Sequence, residues 1–124
     1  MILAIAIGGA AGSVLRYLVT VWMKSVTAQV PVATLLVNIT GCFLLGLFAR
    51  TLNTSGSNPV VRAALTVGFC GGFTTFSTFS AEFVTLVQEG RVGRALTYVL
   101  TSVVVGVLAT ASGLLIGSRF MQSR

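Results

Sequence analysis

The residues with the clearest chemical potential lie in one unbroken stretch at positions 68–82, whose sequence is GFCGGFTTFSTFSAE. Phe76 and Phe79 are three apart, so on a helix they project from the same side. Hydroxyl side chains are interleaved with them at positions 75, 77, 78 and 80. Aromatic rings carry a positive edge, and hydroxyl and amide groups donate hydrogen bonds. Together such groups can replace water around a small, strongly hydrated anion; the alternative is that the two rings fill a packed membrane core.

The same stretch contains Gly68, Gly71 and Gly72, and each glycine lowers helix propensity by about 1 kcal/mol relative to alanine. We therefore predict that the helix is interrupted near residues 71–75. Non-helical backbone at membrane depth must be buried in protein or line a polar cavity. Carbonyl oxygens left unpaired where the first half-helix ends carry partial negative charge. If two chains met there, their neutral oxygens would suit an alkali cation such as Na⁺ better than a divalent cation.

The composition places these residues in a membrane. Of the 124 residues, 55% are hydrophobic and 8% are charged, whereas soluble domains are roughly 25% charged. The length allows a single domain of about four spans. The first apolar run is too long for a cleavable signal peptide. We expect a multi-pass protein of the cell inner (plasma) membrane.

The scarce residue types exclude several functions. The chain has no histidine, and both cysteines lie in apolar segments, which argues against histidine metal sites, Cys–His catalysis and a disulfide. Without an acid/base or nucleophile–base pair, an enzyme is not expected. The net charge of +6 comes from single cations scattered at span ends. This distribution favours anchoring at lipid headgroups over binding of nucleic acid.

Four apolar segments supply the helices that position the stretch. The prediction is an all-α integral membrane protein whose third span is interrupted near mid-membrane, with spans over about residues 2–23, 32–49, 60–87 and 95–118. Gly8 and Gly12 are four apart in the first span and predict a face for close helix packing. Gly113 and Gly117 predict a second such face in the fourth span.

Three spans carry polar side chains that must face protein or water, because unpaired polar groups are costly in hydrocarbon. Asn38, with Thr34 one turn earlier, supplies either an interhelical hydrogen bond or an amide donor on a permeation route. Arg16 either extends to the far interface or supplies positive potential at the mouth of an anion path. A stripe that is either helix-packing surface or a polar track beside a pore recurs every four residues in the fourth span: Tyr98, Ser102, Gly106 and Thr110.

The cations that flank the spans give no clear orientation. Four spans place both termini on one side of the membrane, with the cations Arg50, Arg62, Arg119 and Arg124. The other side has Lys24, Arg91 and Arg94, with Arg16 as a fourth if it extends there. Such a near balance is what a chain inserted in both orientations would require.

Three parts of the sequence closely resemble the CrcB/Fluc family of fluoride channels. They are Gly8-Gly9 with Leu15-Arg16, Thr34-Leu35-Leu36-Val37-Asn38, and the whole of residues 68–82. The resemblance extends over nearly the whole chain, and its last part is long and highly specific. It implies a passive channel that exports fluoride across the cell membrane and so lowers cytoplasmic fluoride. It also implies an antiparallel, dual-topology homodimer in the lipid bilayer, with two pores and one structural Na⁺ at the dimer centre.

The resemblance further implies roles for individual residues. Backbone carbonyls that match the Na⁺ ligands belong to Gly71 and Thr74. The residues expected to line the pore or bind the anion are Asn38, Phe76, Phe79, Ser102, Thr110, Thr75, Tyr98 and the vestibule residue Arg16. The chain departs from the family pattern at Gly106, where some relatives carry a serine, and at Ala33, where a glycine usually precedes the threonine.

Glu82 lies one helical turn past Phe79, and we expect it to bond to neighbouring hydroxyls or to a proton rather than to a passing anion. The alternative to a channel is a small, dual-topology, proton-coupled exporter with four spans. That class needs an accessible carboxylate early in the first span, where the only ionisable side chain is Arg16. A non-transporting assembly protein would explain the glycine faces but not residues 68–82.

Overall fold

The computed structural model describes residues 1–23, 31–53 and 56–122. All regular structure in these ranges is helical. The helices are α1 (Ile2–Trp22), α2 (Val32–Thr51), α3 (Pro59–Ala63), a π-helical segment (Ala64–Cys70), α4 (Gly71–Phe73), α5 (Phe76–Gln88) and α6 (Val92–Gln122). Lys24 and Arg124, two of the flanking cations, lie outside the described residues.

Four stretches are long and apolar enough to cross a membrane, which confirms the predicted number of spans. They are Ile2–Trp22, Val32–Thr51, Pro59–Gln88 and Val92–Gln122. The last has 31 residues and is therefore about 46 Å long, which exceeds a hydrocarbon core of about 30 Å. It extends past the predicted limits of 95 and 118 at both ends, and its start follows a tight turn at Gly90 (φ 73°).

The third span is assembled from several helical segments. The side chain of Asn58 caps its start by accepting a 2.8 Å hydrogen bond from the Val60 N–H. Gly71 and Gly72, which were expected in the interruption, are helical. The extended residues are instead Thr74 (φ −77°, ψ 158°) and Thr75 (φ −149°, ψ 115°). Helix α5 begins directly after them at Phe76.

These glycines lack a side chain, so α1 can pack closely against the third span, and this packing stabilises their helical conformation. A methyl group at Gly12 would collide with the carbonyl oxygen of Phe69, and one at Gly72 would collide with the carbonyl oxygen of Gly9. At Gly68 a methyl carbon would lie 2.6 Å from the carbonyl oxygen of Ile5. The predicted packing face of the first span is confirmed. The contact between backbones outweighs the weak helix propensity of glycine, which is a small term that tertiary packing overrides.

Helix α6 packs against α2 through a second set of small residues. A methyl group at Gly113 would collide with the carbonyl oxygen of Phe43, and at Gly117 it would lie 2.8 Å from the Cβ atom of Arg50. The predicted packing face of the fourth span is therefore confirmed as well. The two seams thus pack α1 against the third span and α6 against α2.

Candidate ion pathway

An open groove of about 540 Å³ runs beside the extended residues of the third span. Its walls come from α2, the third span and α6, and no charged side chain is among its described lining residues. It brings together seven of the residues singled out from the sequence: Asn38, Gly71, Thr74, Thr75, Phe76, Phe79 and Ser102. Five others do not line it: Arg16, Thr34, Glu82, Tyr98 and Thr110.

Phe76 and Phe79 form a ring pair at the wall of the groove. Their centroids are 5.6 Å apart, and their planes are inclined by 39°. Phe79 also contacts the ring of Tyr98, with centroids 5.1 Å apart and an interplanar angle of 51°. Phe76 remains 79% exposed. One ring is thus held by packing, while the other is open to an ion or to a second chain.

The hydroxyl groups of this region organise the start of α5. The Thr75 hydroxyl accepts a 3.1 Å hydrogen bond from the Thr78 N–H and lies 2.9 Å from the Thr78 hydroxyl. It is also 3.2 Å from the hydroxyl of Ser77. Thr75 therefore acts as the N-cap of α5. This places the positive end of the α5 dipole at the extended residues.

Asn38 hydrogen-bonds to the extended backbone with both ends of its amide group. Its Nδ2 donates to the Thr75 carbonyl oxygen at 3.1 Å, and its Oδ1 accepts from the Thr75 N–H at 2.8 Å. The interhelical hydrogen bond is thus present. An amide nitrogen carries two N–H groups, and among the described residues only one hydrogen bond from the Asn38 Nδ2 is present, while Asn38 lines the groove.

Arg16 points into the protein from α1. Its Nε donates a 3.1 Å hydrogen bond to the Gly72 carbonyl oxygen, and the hydroxyl of Ser13 donates to the same oxygen at 3.3 Å. The side chain therefore binds the end of α4 rather than extending to the far interface. Sequence reasoning missed Ser13, although its position three residues before Arg16 places both on one face of α1.

A small polar cavity of about 20 Å³ lies between Arg16 and the extended residue Thr75. A volume of this order is enough for about one water molecule. The residues that line it are Arg16, Thr20, Thr34, Val37, Thr75 and Thr78.

Backbone oxygens that could hold a cation lie at the end of α4. The N–H of Thr75 would bond to the Gly71 carbonyl in a continuous helix, but it donates to Asn38 instead. No hydrogen bond from the described residues reaches the carbonyl oxygen of Gly71 or of Thr74. These are neutral oxygens, and the described residues contain no cluster of three or more His, Cys, Asp or Glu side chains. The donor set fits an alkali cation rather than a divalent or transition metal.

Glu82 is held by two hydroxyl groups from neighbouring helices. Thr34 donates to its Oε1 at 2.8 Å, and Tyr98 donates to its Oε2 at 2.7 Å. Thr34 and Tyr98 are buried, at 4% and 2% exposure. The expectation that Glu82 bonds to neighbouring hydroxyls is therefore confirmed. Neither donor lines the groove: Tyr98 lies against the Phe79 ring, and Thr34 lines a small separate cavity.

The polar stripe of α6 divides into two parts. The Ser102 hydroxyl is buried at the groove and has no hydrogen-bond partner in the part of the chain that the structure describes. The Thr110 hydroxyl donates to the carbonyl oxygen of Gly106 at 3.1 Å, within its own helix. Of the polar residues in this stripe, only Ser102 lines the groove, and a pore role for Thr110 stays a prediction.

The chain is similar throughout to proteins of one family. The family described as CrcB-like protein, Camphor Resistance (CrcB), matches residues 3–114. A protein of Chlorobium chlorochromatii (strain CaD3) named fluoride-specific ion channel FluC is 44% identical over 121 residues, 97% of this chain and 93% of that protein. A protein of the same name from Phocaeicola vulgatus is 44% identical over 114 residues, 91% and 94% of the two chains. Fluoride-specific ion channel FluC 1 of Yersinia pestis is 41% identical over 123 residues, 96% and 94% of the two chains.

Proposed function

Since this chain belongs to the CrcB family, we propose that it is a passive, fluoride-selective channel that exports fluoride and lowers its cytoplasmic concentration. It is a multi-pass protein of the cell membrane, and its family is one of ion channels rather than enzymes. Relatives that carry the name of fluoride-specific ion channel support the choice of ion.

The observation that carries the proposal is a set of uncharged donor groups, each with a partial positive charge, around a groove without charged side chains in its described lining. Ser102 contributes a hydroxyl that has no partner among the described residues, Asn38 an amide N–H, and Phe76 and Phe79 their ring edges. Such donors replace the hydration of an anion without a fixed charge that would trap it. Fluoride is the smallest halide and the strongest hydrogen-bond acceptor among them, so short contacts with O–H and N–H groups favour it over chloride.

Transport is passive in this proposal because the described chain offers no suitable coupling carboxylate. Helix α1 contains no acidic residue, and Glu82 is the single acidic residue in the sequence of the third span. Both of its carboxylate oxygens accept hydrogen bonds from Thr34 and Tyr98. A proton-coupled exporter would need such a group to be accessible in turn from the two sides of the membrane.

The working unit in our proposal is an antiparallel homodimer with two pores. Gly71 faces open space: apart from its neighbours in its own helix, no atom of the described residues lies within 4 Å of the position of a methyl group. Phe76 and Val67, which also line the groove, are 79% and 63% exposed. A second chain inserted in the opposite orientation would cover this surface, and the near balance of flanking cations permits both orientations.

A structural Na⁺ at the centre of that dimer completes the proposal. Gly71 and Thr74 of each chain would hold it through their carbonyl oxygens, which lack partners among the described residues. The bound ion would supply positive charge beside the anion path and would satisfy oxygens whose burial without a partner is costly.

The experiment is efflux from liposomes that contain the purified protein. Fluoride should leave down its gradient with chloride retained, and neither a proton gradient nor a Na⁺ gradient should be required. Protein-free liposomes are the control. Equal passage of chloride, or efflux only when a proton gradient is imposed, would contradict the proposal.

A further inference from the structure

Two side chains of α1 bind the carbonyl of Gly72, which lies between the proposed sodium ligands Gly71 and Thr74 in the chain. Arg16 Nε and the Ser13 hydroxyl both donate to Gly72, at 3.1 and 3.3 Å. On either side of it in the chain, the carbonyls of Gly71 and Thr74 receive no hydrogen bond from the described residues. The acceptor that α1 occupies is therefore not one of the two proposed ligands.

The local sequence explains why the chain needs this external support. Gly71 and Gly72 have no Cβ atom, so the peptide planes around them can reorient at low cost. The end of a helix also lacks the N–H partners that fix carbonyl direction within it. Here Thr75 N–H donates to Asn38 and Thr74 N–H donates to Cys70, so neither constrains the Gly71 carbonyl.

Helix α1 constrains this peptide at two levels. Its backbone lies so close to Gly72 that a methyl group there would collide with the carbonyl oxygen of Gly9. The hydroxyl of Ser13 and the guanidinium of Arg16 then fix the direction of the Gly72 carbonyl. A charged donor makes a stronger hydrogen bond than a neutral one, which suits a carbonyl at the negative end of a helix.

We propose that Arg16 and Ser13 are positioning residues for the sodium site: they hold the Gly72 carbonyl on α1 and so leave those of Gly71 and Thr74 to the ion. This inference rests on the proposed sodium site. It gives Arg16 a role through hydrogen-bond donation that is separate from any attraction of anions by its charge. Loss of the donors frees the Gly72 peptide to turn, and the ion then meets an unordered set of oxygens.

The test is equilibrium binding of radioactive Na⁺ to purified protein, which does not depend on conduction. Arg16→Gln keeps an N–H donor without the charge, whereas Arg16→Met keeps the length of the side chain without a donor. Ser13→Ala removes the second donor alone. The matched control is Ser112→Ala, because the Ser112 hydroxyl donates only to the Leu108 carbonyl of its own helix.

We expect Arg16→Met to raise the Kd for Na⁺ at least about tenfold, the order expected for a lost hydrogen bond from a charged group. Ser13→Ala should raise it roughly threefold or more. Arg16→Gln should leave the Kd within about threefold of the wild type or lower it, since a cation beside the ion is removed while the donor remains. Ser112→Ala should bind as the wild type does.

Wild-type Kd values in both Arg16→Met and Ser13→Ala would overturn the inference, and so would an equal loss in Arg16→Gln and Arg16→Met. If Arg16→Met does not fold, a wild-type Kd in Ser13→Ala would overturn the inference, and so would a Kd in Arg16→Gln that is raised by more than about threefold. A wild-type protein that conducts fluoride but binds no Na⁺ would overturn this inference and the sodium site while leaving the channel proposal intact. A wild-type protein that binds Na⁺ but does not conduct fluoride would contradict the channel proposal and leave the sodium site intact.

Discussion

Replacement of Asn38 by aspartate should nearly abolish fluoride conduction. The Nδ2 of Asn38 donates to the Thr75 carbonyl at 3.1 Å, and a carboxylate would place an acceptor against that acceptor. The lost bond costs roughly 1–3 kcal/mol. The other bond, from the Thr75 N–H at 2.8 Å, can persist because a carboxylate oxygen accepts it equally well. We therefore expect a folded dimer.

The larger effect of this substitution is electrostatic. A fluoride ion passing about 4 Å from the new carboxylate would be repelled by about 4 kcal/mol at an effective dielectric constant of about 20. At about 1.4 kcal/mol per tenfold change in rate, this lowers the flux by about three orders of magnitude. No cationic side chain among the described lining residues of the groove would offset the new charge.

The assay is fluoride efflux from liposomes with equal amounts of wild-type and Asn38→Asp protein. Asn53→Asp is the matched control, because Asn53 is exposed and its Oδ1 already accepts a 3.0 Å hydrogen bond from Arg62. The control should conduct as the wild type does. Flux within about threefold of wild type in Asn38→Asp would refute the electrostatic argument and leave Asn38 with the structural role alone.

Three further substitutions test separate contacts. Tyr98→Phe removes the 2.7 Å hydrogen bond to Glu82 and should lower the free energy of unfolding by roughly 1–3 kcal/mol in a denaturant titration in micelles; unchanged stability would contradict the importance of that bond. Gly12→Ala should destabilise the fold by about 1–3 kcal/mol through overpacking. Gly93→Ala should not, because no atom from another part of the described chain lies within 4 Å of the added Cβ position. Equal thermal stability of the two variants would refute the packing argument. Gly71→Val should leave the single chain folded but abolish dimerisation and Na⁺ binding, measured by cross-linking and by radioactive Na⁺, because an added Cβ atom contacts no other part of the described chain; a dimer that still binds Na⁺ would contradict the proposed interface.

Several parts of the fold could be predicted because they depend on patterns along a single helix. Hydropathy and length gave four spans, and the spacing of Gly8 with Gly12 and of Gly113 with Gly117 predicted where helices approach closely. The position of Glu82 among hydroxyl residues predicted its hydrogen bonds. The glycine faces follow because residues three or four apart share one face of a helix, whereas the two donors to Glu82 lie 48 and 16 residues away in the chain and could not be identified this way.

Other features could not be predicted because they depend on which atoms meet between segments far apart in the chain. Intrinsic propensity suggested that Gly71 and Gly72 leave the helix, but contact with α1 keeps them helical and the extended residues are Thr74 and Thr75. Because Gly71 has right-handed helical backbone (φ −64°, ψ −37°), its substitution acts through space rather than through conformation. The hydrogen bond from Arg16 Nε reaches a backbone carbonyl 56 residues further along the chain, which no local pattern indicates; a vestibule role for Arg16 stays a prediction.

The central claim is that the protein conducts fluoride passively and selectively, and the reversal potential in a planar bilayer tests it most directly. With unequal fluoride on the two sides, the current should reverse at the fluoride equilibrium potential, about 59 mV for a tenfold gradient of a monovalent ion. Added gradients of chloride or of protons should leave that value unchanged. A reversal potential that follows chloride or pH, or fluoride efflux without any current, would contradict the account.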